Sequence, residues 1–191
     1  MAKQANAKQR ILETAGRLFH ENGYCGVGVN QIIAEAGTAK ATFYQHFPSK
    51  EDLCVAWLDL MHQGSEQART RILASAENPE AKIDQYFTNL ERFLEERQFR
   101  GCPFTNTGSI TEACCEPIRE CIEAHKISIR NFFRDLAREF ASSDSRAQEV
   151  GDEFFLLYSG ATMEAQNLRA IWPVRAARRA ARERCEQERG K

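Results

Sequence analysis

The chain has 191 residues, 42% of them hydrophobic, and a formal net charge of −1. That is enough material for one large helical domain or two small ones, and the near-neutral balance excludes a uniformly basic nucleic-acid coat. It contains no apolar run of about eighteen residues, which excludes a transmembrane helix, and the opening MAKQANAKQR lacks the apolar stretch of a secretion signal, so a cytoplasmic location is expected.

Seven cysteines without a CxxC pair are not the framework of a disulfide-stapled domain and read as reduced thiols. Cys114-Cys115, with Cys102, Cys121 and His125, matches no common zinc spacing. No metal and no cofactor are expected.

Almost every segment has helical periodicity. Ile11, Leu12, Ala15, Leu18 and Phe19 make one buried stripe over 7–22, and Asn22-Gly23 stops it. Gly26–Gly28 is a tight connector. A short helix from Val29 buries Ile32, Ile33 and Ala36 and ends at Gly37, which takes φ > 0 without steric cost. Thr38 is placed to cap the next helix. That helix buries Ala39 or Ala41 together with Phe43, and Phe47 closes it. It also carries Lys40, Thr42, Tyr44, Gln45 and His46. Pro48-Ser49 breaks the run, and Glu51-Asp52 suit the start of a long helix over 50–75. The weakly apolar middle of that helix, Gln63–Thr70, fits a link between two domains.

Pro79 opens a helix over 79–97 with Ile83, Tyr86, Phe87, Leu90, Phe93 and Leu94 facing a core. Gly101-Cys102-Pro103 forces a corner, followed by a short helix over 104–113. A second long helix, 115–141, carries Ile118, Cys121, Ile122, His125, Ile129, Phe132, Phe133, Leu136 and Phe140. Ser142–Ser145 is a loop. Over 146–170, Val150, Phe154, Phe155, Tyr158 and Met163 point in several directions, as in a helix buried on more than one side. The tail from Val174, rich in Arg and Ala, can be helical but offers little core; its arginines read as a solvated face.

An apolar helix, a glycine turn and a short polar helix are the parts of a helix-turn-helix. Positive charge is enriched nearby: residues 1–50 hold Lys3, Lys8, Arg10, Arg17, Lys40 and Lys50 against Glu13, Glu21 and Glu35. Lysine can donate to guanine O6 and N7, and glutamine can bridge adenine.

The run AGTAKATFYQHFPSKEDL resembles the signature of the tetracycline-repressor (TetR) family of bacterial regulators. The matching residues are Ala36-Gly37, Thr38, Lys40, Phe43-Tyr44-Gln45-His46-Phe47 and Lys50-Glu51-Asp52-Leu53. Ile11-Leu12, Ala15, Leu18-Phe19 and Gly23-Tyr24 resemble the family's first helix, so the likeness covers about residues 7–60. It implies an all-α fold of about nine helices. A three-helix DNA-binding domain would occupy 1–50, and a helical bundle for ligand binding and dimerisation would occupy 51–191, with 51–75 as the linking helix. It further implies that Lys40, Thr42 and Gln45 face base edges and that Tyr44, His46 and Lys50 contact phosphates. Thr38 belongs to the same DNA-facing set, and Asn30 reaches a base or a phosphate. Phe43 and Phe47 would be core. In one departure, Val27-Gly28 stands where many members carry Ser or Thr, so a capping or phosphate-binding hydroxyl is missing.

For the second half, the resemblance implies a homodimer on a pseudo-palindromic duplex operator, with the last two long helices as the interface. Phe155 or Leu157, with Ala161, Trp172, Ala177 and Ala181, are the expected contacts. It also implies an interior that takes an unidentified small molecule. Phe87, Leu90, Cys102, Phe104, Asn106, His125, Phe132, Phe154 and Tyr158 are the candidate lining. The corner Arg100–Phe104 is similar to one found in family members that respond to electrophiles or aromatic ligands. Cys102 there is either a thiol sensor or, the favoured reading, a small buried hydrophobe. Cys102 with His125 forms no recognisable catalytic motif, so no enzyme, no catalytic residue and no membrane partner are expected. The function implied is a regulator, most simply a repressor released by a largely apolar ligand or by thiol modification.

Overall fold

A computed structural model describes residues 2–75, 77–108 and 115–190, with the side chains of 2–6 left aside. Among these residues it holds nine α-helices and no strand: α1 (Ala2–Asn22), α2 (Val29–Glu35), α3 (Lys40–His46), α4 (Lys50–Leu73), α5 (Pro79–Glu96), α6 (Pro103–Gly108), α7 (Glu116–Arg138), α8 (Asp144–Leu168) and α9 (Trp172–Arg189). Contacts group them into two compact units, Met1–Gln63 with Pro103–Ala124, and Gly64–Cys102 with His125–Lys191.

In the first unit α1 packs on α2 and α3. Its buried face is Ala7, Ile11, Ala15, Leu18 and Phe19, spaced as a helix stripe requires. Gly16 is small for a reason: a Cβ there would lie 2.7 Å from the Trp57 ring. The α2 terminus closes with two hydrogen bonds, Gly37 N–H to Ala34 O and Thr38 N–H to Ile33 O, both 3.2 Å. Gly37 sits at φ 59°, the left-handed position that this closure needs.

Two local expectations fail here. Thr38 does not cap α3; the N-cap is Ala39, without a side-chain hydrogen bond. Ala39 and Ala41 are both exposed, leaving Phe43 as the buried residue of α3, because seven residues expose all but one narrow stripe. Gly28 caps α2 without a side-chain bond, as the missing hydroxyl predicts. Ser49 caps α4 instead: Asp52 N–H donates to its Oγ at 3.0 Å, and the Ser49 hydroxyl returns a 2.6 Å bond to the Asp52 carboxylate. α6 is described over Pro103–Gly108, and the expected helical residues 109–113 lie outside the described residues.

The second unit is built on α5, α8 and α9 together with the later part of α7. Asn78 caps α5, accepting from Ala81 N–H at 2.9 Å, with Pro79 in its first turn. Gly151 lets α8 approach α7 closely, since a Cβ there would lie 2.6 Å from Arg134 Cα. The reading of α9 needs correcting. Val174, Ala177, Ala181 and Cys185 are buried in the main core, so small residues bring this helix close and supply core after all. Its arginines do form a largely solvated face, with Arg175, Arg179, Arg182 and Arg189 exposed, but most of them are paired across it. Arg178 and Arg182 meet Asp84 at 2.8 and 3.2 Å, Arg175 meets Glu91 at 3.3 Å, Arg184 meets Glu153 at 2.7 Å, and Arg189 bonds Glu80. Charge on α9 matches carboxylates on α5 and α8.

Candidate nucleic-acid interface and interior

The short α3 is held from beneath by Phe43 and Phe47, both buried and 6.3 Å apart between ring centres. Helical geometry then turns Lys40, Ala41, Tyr44 and Gln45 outward as one strip, two pairs at i, i+4. Tyr44 is 44% exposed, its ring set edge-on against Phe43 at 5.2 Å. Thr38, Thr42 and His46 are half-buried at the margins, and Asn30 is exposed on α2. His46 Nε2 is buried without a hydrogen-bond partner.

Lys50 has a task that its position in sequence did not announce. Its Nζ donates to Tyr24 O and Val27 O, at 3.0 and 3.1 Å, and lies 4.2 Å from the centre of the Tyr24 ring. Two of the three ammonium donors are therefore spent on tying the α1–α2 connector to α4, and a phosphate would have to use the third. Two cations of α1, Arg10 and Arg17, are also engaged. Arg10 donates to Ala36 O at 3.3 Å, and Arg17 bridges to Glu35 and Glu21. They brace the helix that precedes the turn.

In the second unit, Phe87, Leu90, Phe132, Phe154 and Tyr158 share one core. Tyr86 joins them, stacked on Phe132 at 5.0 Å and edge-on to Phe133 and Tyr158 at 4.8 and 5.8 Å. Cys102 is buried near Tyr158; burial first, and the neighbouring thiol next, push that phenol well above its ordinary range. His125 is buried. Phe104 and Asn106 belong to the first unit, where Phe104 faces a groove of about 320 Å³ with Leu58, Asp59, His62 and Cys121.

One buried group escaped the sequence reading. Arg69 is 4% exposed, hidden in the stretch Gln63–Thr70 that looks uniformly polar. Helical spacing was the available signal: Ser65, Arg69 and Ile72 fall on one face at i, i+4 and i+7. Among the described residues, no group of three or more His, Cys, Asp and Glu side chains could hold a metal ion. No described helix is long and apolar enough to cross a membrane.

Residues 11–56 match the family model of bacterial regulatory proteins, tetR family. The transcriptional regulator LmrA of Bacillus subtilis is 32% identical over 148 residues, 76% of this chain and 78% of the relative. The chain belongs to the TetR family. The transcriptional repressor NemR of Escherichia coli is 26% identical over 171 residues, 87% of this chain and 80% of that one. SCO4454, a TetR-family regulator from Streptomyces coelicolor, superposes with a TM-score of 0.88 at 23% identity, covering 97% of both chains. The reduced form of Escherichia coli NemR superposes at 0.79, with 20% identity and coverage of 92% and 94%. As a TetR-family member, this chain is a helix-turn-helix transcription regulator, and the matched segment contains the whole of α2 and α3.

Proposed function

We propose that this regulator works in the cytoplasm as a homodimeric repressor on a pseudo-palindromic operator, and that a small, largely apolar ligand releases it. The observation that carries the reading is the α3 strip, with Lys40, Tyr44 and Gln45 exposed above buried Phe43 and Phe47. Lys40, Thr42 and Gln45 address base edges. Tyr44, His46, Thr38 and the remaining donor of Lys50 hold phosphates, and Asn30 reaches base or backbone. Residues 1–50 form the reading head and 51–191 the regulatory part.

A single short helix reads only a few base pairs, so a two-fold pair is needed for a full site. The pairing surface proposed here lies on the expected last two helices and keeps Trp172, with a different choice of the other residues. Ala161, Ala177 and Ala181 are buried within the chain, and Phe155 and Leu157 pack against its core. Leu156, Met163, Leu168 and Trp172 are exposed instead, with Trp172 at 60% and Leu156 at 67%. Exposed Gly160 lies between Leu156 and Met163 on α8. These apolar residues on α8 and at the start of α9 suit a four-helix contact between copies.

Release follows if the ligand binds more tightly to a dimer shape whose α3 helices are wrongly spaced for successive grooves. The aromatic interior around Phe132, Phe154 and Tyr158 supports an apolar ligand. Modification of Cys102 is the weaker route, because the thiol is buried. An electrophoretic shift on the duplex flanking the protein's own gene tests the reading. Binding should weaken steeply with salt, and absence of a salt-sensitive specific shift would refute it.

A further inference from the structure

Three charged side chains of the second unit are buried among the described residues: Arg69, Lys82 and Glu188. Two have opposite charges at hand. Lys82 Nζ meets both Glu139 oxygens at 2.8 and 2.9 Å, and Glu188 takes Arg146 and Arg184. Arg69 is different. Its Nη1 donates to Ser65 Oγ and its Nη2 to Ser128 Oγ, both at 2.6 Å. Both acceptors are neutral, and no carboxylate among the described residues forms an ion pair with it. Glu66, on the exposed side of α4, attracts it only from a distance.

A guanidinium has five N–H donors, so two bonds to hydroxyls leave it under-satisfied. A buried cation without a counter-charge is strongly unfavourable. Its surroundings are suited to an apolar anion. Tyr86 and Tyr158 lie within electrostatic reach of Arg69, and Tyr86 is stacked on Phe132. A second cation, Lys126 Nζ, lies 5.8 Å from the centre of the Tyr158 ring. Residues of α4, α5, α7 and α8 thus surround Arg69 within a single compact unit, and Lys126 stands at the Tyr158 ring of that cluster.

We infer that this place is the anion end of the ligand site and that the effector is a carboxylate on an aromatic-sized apolar body. The planar fork of Arg69 receives the carboxylate in two parallel bonds, Lys126 adds to the local positive field, and Tyr86, Phe132 and Tyr158 contact the body. The inference rests on the ligand-gated reading above and narrows its ligand class.

The test is calorimetric titration of the purified full chain with benzoate, 2-naphthoate and indole-3-acetate, each alongside its neutral carboxamide. At least one acid should bind saturably, at least about tenfold tighter than its amide, as expected for a charge-assisted bidentate bond. Arg69→Gln should erase that preference, the acid losing about tenfold more affinity than the amide, and Arg69→Lys should retain part of it. Circular dichroism melts confirm that both variants fold. Equal affinity for acid and amide, a preference that survives Arg69→Gln, or no binding by any of the acids would overturn the assignment. A separate DNA shift divides this failure from that of the parent reading. If an acid binds with the expected preference but leaves the operator complex intact, the anion site stands and ligand-induced release fails.

Discussion

At the scale of single residues, Gln45 and Gly37 carry separable jobs. Gln45 is exposed on α3 and touches nothing that the fold depends on, so Gln45→Ala should leave the melting temperature unchanged. It should weaken operator binding by about 1–3 kcal/mol, the usual worth of a bidentate base contact, as read by fluorescence anisotropy on the cognate duplex. Gly37 is the reverse case. A Cβ there meets no atom within 4 Å, yet φ is 59°, so Gly37→Ala carries only backbone strain. The expected loss is about 1–2 kcal/mol of stability in chemical denaturation. The thiols divide in a similar way. Burial pushes Cys54 up to about 12, leaving it protonated and unreactive at neutral pH, whereas Cys25 is exposed. Iodoacetamide at pH 7 should label Cys25 and spare Cys54 by mass spectrometry; rapid labelling of Cys54 in the folded protein would contradict its burial.

At the scale of elements, the turn chemistry was legible and the partners of charged side chains were not. Gly37, Pro79 and the corner at Gly101 each impose a local backbone geometry that a short window of sequence reveals. The outward strip of α3 follows from Phe43 and Phe47 by helical period alone. Lys50 could not be read this way, because its acceptors Tyr24 O and Val27 O lie on a distant connector. Nor could α9: its arginines are largely solvated as read, but nothing local shows that its small residues face the core or that carboxylates on α5 and α8 meet its arginines. Arg178 loses its pairing with Asp84 if Asp84 is neutralised, and Arg182 loses it at the same stroke. Asp84→Asn should therefore destabilise more than Glu153→Gln, whose carboxylate serves Arg184 alone and is more exposed. Equal urea midpoints for the two variants would contradict a structural role for that pairing.

At the scale of the whole molecule, the described carboxylates set the acid limit. Hydrogen bonds from Arg178 hold Asp84 below its ordinary range, and those from Arg130 and Arg134 hold Asp152 well below it. A carboxyl whose folded pKa is depressed binds its proton more readily in the unfolded chain, so its contribution is complete above the unfolded value of about 4. It is lost as pH falls below that value toward the folded pKa. Melting temperature should thus be flat on the acid side down to about pH 4 and fall below it, and Asp152→Asn should flatten the fall. Association is tested on the exposed apolar residues: Leu156→Glu combined with Met163→Glu should convert a sedimenting dimer to a monomer and abolish cooperative operator binding. Sequence reading is assigned to α3. Selection of bound sites from random duplexes by the wild-type protein, repeated with Lys40→Ala and Gln45→Ala combined, tests it most directly. An enriched pair of inverted half-sites is expected for the wild type, and loss of that enrichment in the variant. Enrichment of the same sites by both proteins, or of none by the wild type, would contradict it.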